Sequence, residues 1–283
     1  MIRNKIIFAL FFAAVFLFFL VWGKVYAGFS VNGVTDPASV SSVDTPASVC
    51  GVDSNYSTCC ATNCKLLLNM NGTDEAQVFT DEGSIGFSMT AVGNVNTETS
   101  VKKFGTASGE FDGTGDYVYA GDDISWLFGS AEFTVDCWVY LNESMGTAVR
   151  IIAGYGGNSA NWGTDGNVWV LLTSTDSKIY FQYKVSGSYH TIESSSTVDV
   201  TGGFHHVAVV RSSNTTTIYV DGTSVGSDTS QTMLGILTNQ KMMVGSSAGQ
   251  SYFWNGYIDS FRVHKSEALW TSNFTPPTSE CSP

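Results

Sequence analysis

The run Phe253–Pro277, FWNGYIDSFRVHKSEALWTSNFTPP, decides how this chain folds. Past Gly256 it alternates with period two, the spacing of a β-strand whose successive side chains point to opposite faces. Read without interruption, Tyr257, Asp259, Phe261 and Val263 share one face, and Ile258, Ser260, Arg262 and His264 share the other. Ser266–Trp270 reads as a short helical turn. Pro276–Pro277 ends regular structure, because proline fixes φ and lacks a donor.

The same grammar runs back to Lys65. Phe133–Leu141 alternates cleanly, and strands are expected at 150–155, 168–173, 178–183, 189–193, 204–211, 216–220 and 241–244. Thr164-Asp-Gly166, Ser186-Gly-Ser188, Gly202-Gly203 and Asp221-Gly222 supply the turns between them. At Tyr219-Val-Asp-Gly222 the Asp-Gly pair accepts the positive φ values of a hairpin tip. No long amphipathic helix pattern occurs. Short strands at this spacing predict an all-β, two-sheet antiparallel sandwich.

Several blocks carry a family resemblance in one chain order. They are Lys65–Gly72 (KLLLNMNG), Phe104–Val118 (FGTASGEFDGTGDYV), Phe133–Tyr140 (FTVDCWVY), Phe204–Arg211 (FHHVAVVR), Tyr219–Gly222 (YVDG) and the closing strand. Together they resemble laminin-G-like domains, which implies a concanavalin A-like jelly roll. That fold hosts lectins, adhesion modules, lyases and hydrolases, so function has to be argued from a site.

Residues 1–27 read as a secretory signal: Arg3 and Lys5, the apolar run Ile6–Trp22, then Val25-Tyr26-Ala27 before a cut at Gly28. A retained N-terminal anchor is the alternative, and both place the bulk of the chain outside the cytoplasm. Beyond this segment 10 bases face 25 acids, within a formal net charge of −12 for the whole chain. Such a surface repels nucleic acid phosphates and anionic membranes, which sets nucleic acid binding aside. Residues 28–64 hold a nine-residue repeat, with valines at 31, 40 and 49 and again at 34, 43 and 52. Pro37 and Pro46 keep it extended. It reads as a spacer, or as a strand that docks on its own domain or a neighbour. The jelly roll is assigned to 65–283.

Six cysteines in an exported chain are read as disulfides first. Cys50, Cys59, Cys60 and Cys64 crowd the start of the domain, and Cys281 lies near the end. Paired C-x-x-C spacing is missing and no histidine is near, which disfavours zinc. Cys137 shares its face with Phe133, Val135 and Val139 and reads as a buried apolar thiol. Five cysteines then remain, so one is free or bridges to another chain. The family places its first and last strands side by side, which implies that Cys60 or Cys64 reaches Cys281.

Catalytic sets are sparse. Jelly-roll glycosidases carry Glu-x-Asp-x-x-Glu on one strand face. Glu132 and Asp136 are the nearest match, and Trp138 continues their face where a third acid would stand. No Ser-centred elbow or phosphate loop occurs with plausible partners, so no enzyme is expected. His205 and His206 are adjacent and point to opposite faces, which rules out joint chelation. His206 takes a family position and reads as a hydrogen-bonded structural histidine. The resemblance also implies one structural Ca2+, at Asn71, Asp112-Gly113 and Asp259.

Two loops mix aromatic and amide side chains as sugar recognition requires: Gly154–Gly163 with Tyr155, Asn158, Asn161 and Trp162, and Gly249–Trp254 with Tyr252. They are assigned to one rim, with Trp162 and Tyr252 as the main contacts and Trp254 as core. Sequons start at Asn55, Asn71, Asn142, Asn214 and Asn273. The expectation is an extracellular or cell-surface binding or adhesion module. Its partner is a surface or matrix glycan, or an extracellular protein. The alternative is a structural subunit of a filament or coat, self-associating through the N-terminal segment or an unpaired cysteine.

Overall fold

The computed structural model describes residues 62–156, 167–185, 188–229, 232–233, 240–247 and 252–281. The signal segment, the nine-residue repeat, Cys50, Cys59, Cys60, Asn158, Asn161 and Trp162 lie outside them. Three short strands open the described part: β1 (Cys64–Leu68), β2 (Thr90–Val92) and β3 (Asn96–Glu98). β4 (Ser108–Asp112) and β5 (Tyr117–Ala120) follow. A single 3-10 turn at Ile124–Trp126, where the Asp123 carboxylate accepts from Ser125 N–H, leads into the long β6 (Phe133–Leu141). β7 (Arg150–Gly156), β8 (Asn167–Thr173), β9 (Ile179–Val185) and β10 (Ser188–Glu193) form one antiparallel meander. β11 (His205–Ser212), β12 (Thr215–Val220) and β13 (Thr223–Thr229) form a second. β14 (Lys241–Val244) and β15 (Asn255–Lys265) finish the set.

These strands make two antiparallel sheets. One has eight strands in the order β13-β12-β11-β6-β15-β4-β3, with β1 added to β15. The other has seven, β10-β9-β8-β7-β14-β5-β2. β15 is long enough to take two partners along one edge. Its first half pairs with β4 (Asn255↔Asp112) and its second with β1 (Phe261↔Leu68, His264↔Cys64), so the first and last strands are neighbours. The inner faces interdigitate in one apolar core that includes Phe133, Val135, Cys137, Val139, Trp126, Trp169, Phe181 and Trp254. Burial of this apolar surface drives the two sheets together.

The closing strand departs from simple alternation. Asp259 pairs with Trp138 and Arg262 with Asp136, so two residues, Ser260 and Phe261, oppose Cys137 alone. Ser260 takes φ +46° at this bulge. The inserted residue shifts the period by one. Phe261 and Val263 therefore join Ile258 in the core. Tyr257 and Asp259 face outward with Arg262 and His264, which corrects the face assignment read from the sequence. Ser266–Trp270 is not helical. It runs irregularly, with Trp270 buried against Ala208, Val210 and Tyr219 and stacked on Phe274 at 4.0 Å. Docking of Trp270 on the sheet overrides local helix preference there. The hairpin tip is as expected: Asp221 has φ +48° and Gly222 has φ +75°. Gly222 is also required by packing, because a Cβ there would stand 1.9 Å from the Phe274 carbonyl oxygen.

Candidate functional site

The two carboxylates nearest to a glycosidase pattern are not placed for catalysis. Asp136 projects from the outer face of β6, beneath the C-terminal tail, and is 1 % exposed. It accepts from Arg262 Nε at 3.1 and 3.2 Å, from Arg262 Nη2 at 2.5 Å and from His206 Nε2 at 3.0 Å. Burial pushes the Asp136 carboxyl up, but the Arg262 guanidinium and the His206 hydrogen bond outweigh it and hold it below the ordinary range. Burial holds the His206 imidazole below its usual value, against the pull of Asp136. Its Nδ1 has no partner, as suits a neutral ring that donates from Nε2. His206 is thus a structural histidine. Glu132 lies apart and exposed, accepting from Ser213 N–H at 3.4 Å.

Of the residues expected to share a calcium ion, Asp112 and Gly113 are held apart from Asp259. Asp112 stands opposite Asn255, four strand residues from Asp259 and so about 13 Å away along β15, whereas one ion needs its oxygens within a few ångströms. Asp112 caps its own turn through Thr114 N–H at 2.7 Å. The Gly113 carbonyl faces the Arg150 guanidinium at 3.4 Å, a cation already in place. Asn71 Oδ1 accepts from Thr106 N–H, and its Nδ2 donates to Glu280. Among the described residues no group of three or more His, Cys, Asp or Glu side chains forms a metal set.

Asp259 remains unusual. Oδ2 accepts from the N–H groups of Lys103 and Phe104, while Oδ1 lacks a hydrogen bond of ordinary geometry. Burial, only partly offset by those N–H groups, pushes its carboxyl up to about 7. Asn69 Oδ1 and Ser260 Oγ are buried without partners too. Continuing the β1–β15 register sets Asn69 opposite Ser260, on the strand pair that carries Asp259. Glu280 acts on Asp259 electrostatically. A hard cation suits such a set of orphaned oxygens, since calcium accepts carboxylate, amide and hydroxyl alike. Asn69, Ser260 and Asp259 therefore offer oxygen chemistry of the kind such an ion takes, on one strand pair.

The cysteines also need one correction. Cys64 keeps its thiol, which donates to the Leu66 carbonyl at 3.5 Å and is pushed by burial to about 12. It is therefore not one end of a staple. Cys281 packs beside Cys64 and Leu67 and is disulfide-bonded. Cys137 is a buried thiol in the core, raised far above its ordinary range by burial.

Of the aromatic residues assigned to a sugar-binding rim, Tyr155 is interior. β7 continues through Gly156, so Tyr155 belongs to the strand and faces the core, donating to Asp122 at 2.7 Å. Tyr252 is 48 % exposed, and its carbonyl accepts from Ile151 N–H. It sits at the start of β7, whereas the 157–166 segment leaves from the far end, about 20 Å along the strand. The two loops are thus rooted at opposite ends of the sandwich.

At the Tyr252 end an open cavity of about 380 Å³ is lined by Tyr140, Asn142, Glu143, Ser144, Thr201 and Gly202, with Leu141 behind them. Its wall is rigid. Glu143 grips Arg150 through two hydrogen bonds, at 2.6 and 3.0 Å, and Arg150 also donates to the Phe253 carbonyl. The Arg150 hydrogen bond holds the Glu143 carboxyl below its ordinary range. Asn142 N–H donates to the Asn255 carbonyl, which ties the β6–β7 turn to the closing strand. Gly256, with φ +140°, lets that strand pass, since a Cβ there would lie 2.1 Å from the Tyr140 carbonyl oxygen. Sequence reasoning missed this cavity. Its residues come from two turns and a strand end, and only Tyr140 carries an aromatic signal.

Comparison with known proteins agrees with this architecture. The botulinum neurotoxin serotype D ligand-binding domain, solved with N-acetylneuraminic acid, matches with a TM-score of 0.53 at 13 % identity, over 74 % of this chain and 48 % of that one. The binding domain of botulinum neurotoxin DC, solved with SialylT, matches at 0.51 and 12 %, over 74 % and 49 %. The serotype D binding domain matches at 0.52 and 12 %, over 74 % and 48 %. This chain spans about half the length of these structures, and at such identities the likeness is one of fold. No curated protein matches the sequence. A sequence family described as the concanavalin A-like lectin/glucanases superfamily, of laminin-G type, matches residues 112–270, more than half of the 283. The chain therefore belongs to the concanavalin A-like lectin/glucanases superfamily.

Proposed function

We propose that this protein is an exported, non-enzymatic glycan-binding module that engages surface or matrix glycans at the Tyr252 end of its sandwich. The observation that carries the reading is the cavity itself. It sets a tyrosine beside an amide, a carboxylate, two hydroxyls and a glycine, the mixture that saccharide C–H faces and hydroxyls require. The superfamily supports the reading, because it contains lectins. So does the fold it shares with binding domains solved with sialic acid ligands. The burial of Asp136 in an ion pair argues against its use as a catalytic acid. The basic and apolar N-terminal sequence supports export. A structural Ca2+ at Asp259, Asn69 and Ser260 would occupy their orphaned oxygens and tie the closing strand to β1.

The test is retention of the soluble chain on an immobilised glycan array. Selective retention that free saccharide competes away is expected. Passage over every glycan without retention would refute the reading.

A further inference from the structure

The cavity opens beside an aromatic cluster that no motif in the sequence announces. Tyr140 from β6, Tyr257 from β15 and Phe204, just before β11, meet on the outer face of the eight-stranded sheet. Their ring centroids lie 5.7 Å (Tyr140–Tyr257), 5.9 Å (Tyr140–Phe204) and 6.5 Å (Phe204–Tyr257) apart. All three are only half-buried, unlike Tyr219 further along the same face, which Trp270 and Phe274 of the C-terminal tail cover. Tyr140 belongs to both features: its ring joins the cluster and it lines the cavity. Asn142 joins them a second time, because it lines the cavity and stands by the Tyr257 hydroxyl. That hydroxyl donates to Glu110 at 3.3 Å. The result is a partly exposed apolar shelf leading into a polar depression.

Its charge selects among ligands. Glu98 and Glu110 lie by Tyr257, and Glu143 lines the cavity. Asp199 accepts from Thr201 N–H and Oγ1 at the cavity wall. Among the described residues around the site, the cations are already engaged. Arg150 is held by Glu143 and two carbonyls, and Lys103 lies 3.8 Å over the Trp138 ring. His205 is held between Asp221 and the Thr201 carbonyl. A ligand carboxylate would meet carboxylates here with no cation to pair with.

We propose that the cavity and this ring trio form one binding site for an uncharged saccharide, with Tyr140, Phe204 and Tyr257 as the stacking shelf and Asn142 and Thr201 as hydroxyl partners. The inference rests on the glycan-binding reading and goes further, naming the ligand class and excluding sialylated and uronic acid chains. Stacking on aromatic faces suits hexoses and N-acetylhexosamines, whose apolar C–H patches are flat and uncharged.

The experiment uses the full secreted chain made in a host without N-glycosylation, since Asn142-Glu-Ser144 is an acceptor sequence. Binding is measured to neutral hexose and N-acetylhexosamine oligosaccharides and to their sialylated counterparts, for wild type, Phe204→Ala and Asn142→Ala. Asn142 is exposed, so its truncation leaves the fold intact even where Phe204→Ala weakens it. Neutral ligands are expected to bind and sialylated ones not, with affinity falling about tenfold in each variant. Preference for sialylated ligands, or neutral binding that Asn142→Ala and a folded Phe204→Ala leave unchanged, overturns this inference while the glycan-binding reading stands. Wild type that binds neither set on this panel overturns the inference, and silence on the full array refutes the reading beneath it.

Discussion

Arg262→Met should strand a buried carboxylate. In the wild type Asp136 has its charge matched by Arg262 through three N–H···O contacts and by His206 through one. Arg262 and Asp136 are 3 % and 1 % exposed, so water cannot replace the lost partner. Breaking a buried pair from one side costs about 3–5 kcal/mol. For a domain of this size that lowers the melting temperature by about 6–20 °C. The pH dependence makes the test sharper. In the wild type the folded Asp136 pKa is depressed, so its contribution is present above the unfolded carboxylate range and lost as pH falls through the folded value. The folded His206 pKa is depressed as well, so stability also falls as pH drops below the ordinary histidine range, where the unfolded chain takes up a proton first. Both groups destabilise the wild type towards acid. In Arg262→Met the strongest charge holding the Asp136 carboxyl down is gone, so its pKa rises and that group destabilises the variant less towards acid than it does the wild type. The variant should therefore be most impaired near neutral pH and approach the wild type near pH 4. Replacing both partners, as in Asp136→Leu with Arg262→Met, should recover part of the loss, because no charge is left buried. Thermal melts at several pH values decide the matter. A loss under about 1 kcal/mol at neutral pH, or one independent of pH, would falsify the reasoning.

Two further outcomes follow from the site. Chelation should lower the melting temperature, and Asp259→Asn should abolish that sensitivity, since a ligand bound only to the folded state stabilises it by about 2.7 kcal/mol at a hundredfold excess; identical melts of the wild type in calcium and in chelator would remove the ion from the account. Non-reducing peptide mapping should recover Cys281 in a disulfide, while buried Cys64 and Cys137 react with alkylating reagent only after unfolding; a Cys281 thiol, or rapid labelling of native Cys64, contradicts the structure.

What the sequence determined by itself was local. Phe133–Leu141 was readable as β6 because side-chain direction in a strand depends only on residue parity. The tip at Asp221-Gly222 was readable because positive φ is a property of those two residues. The order of such blocks carried the fold. What only the tertiary structure decided depends on neighbours distant in sequence. One inserted residue at Ser260 moved Phe261 and Val263 to the core face and left Asp259 outside, and no local pattern marks that shift. β13, Thr223–Thr229, has a polar, Gly-containing sequence and exists because β12 offers it a ladder. Tyr155 closed its expected strand and was also read as a rim contact, until the packing of β7 turned its ring into the core. Asp112 and Asp259 looked like partners until β15 held them apart, and Tyr140, Phe204 and Tyr257 became one shelf only when β6, β11 and β15 were laid side by side. Period and turn chemistry are written in consecutive residues, whereas a site on a β-sandwich is made across strands, where register sets which side chains meet.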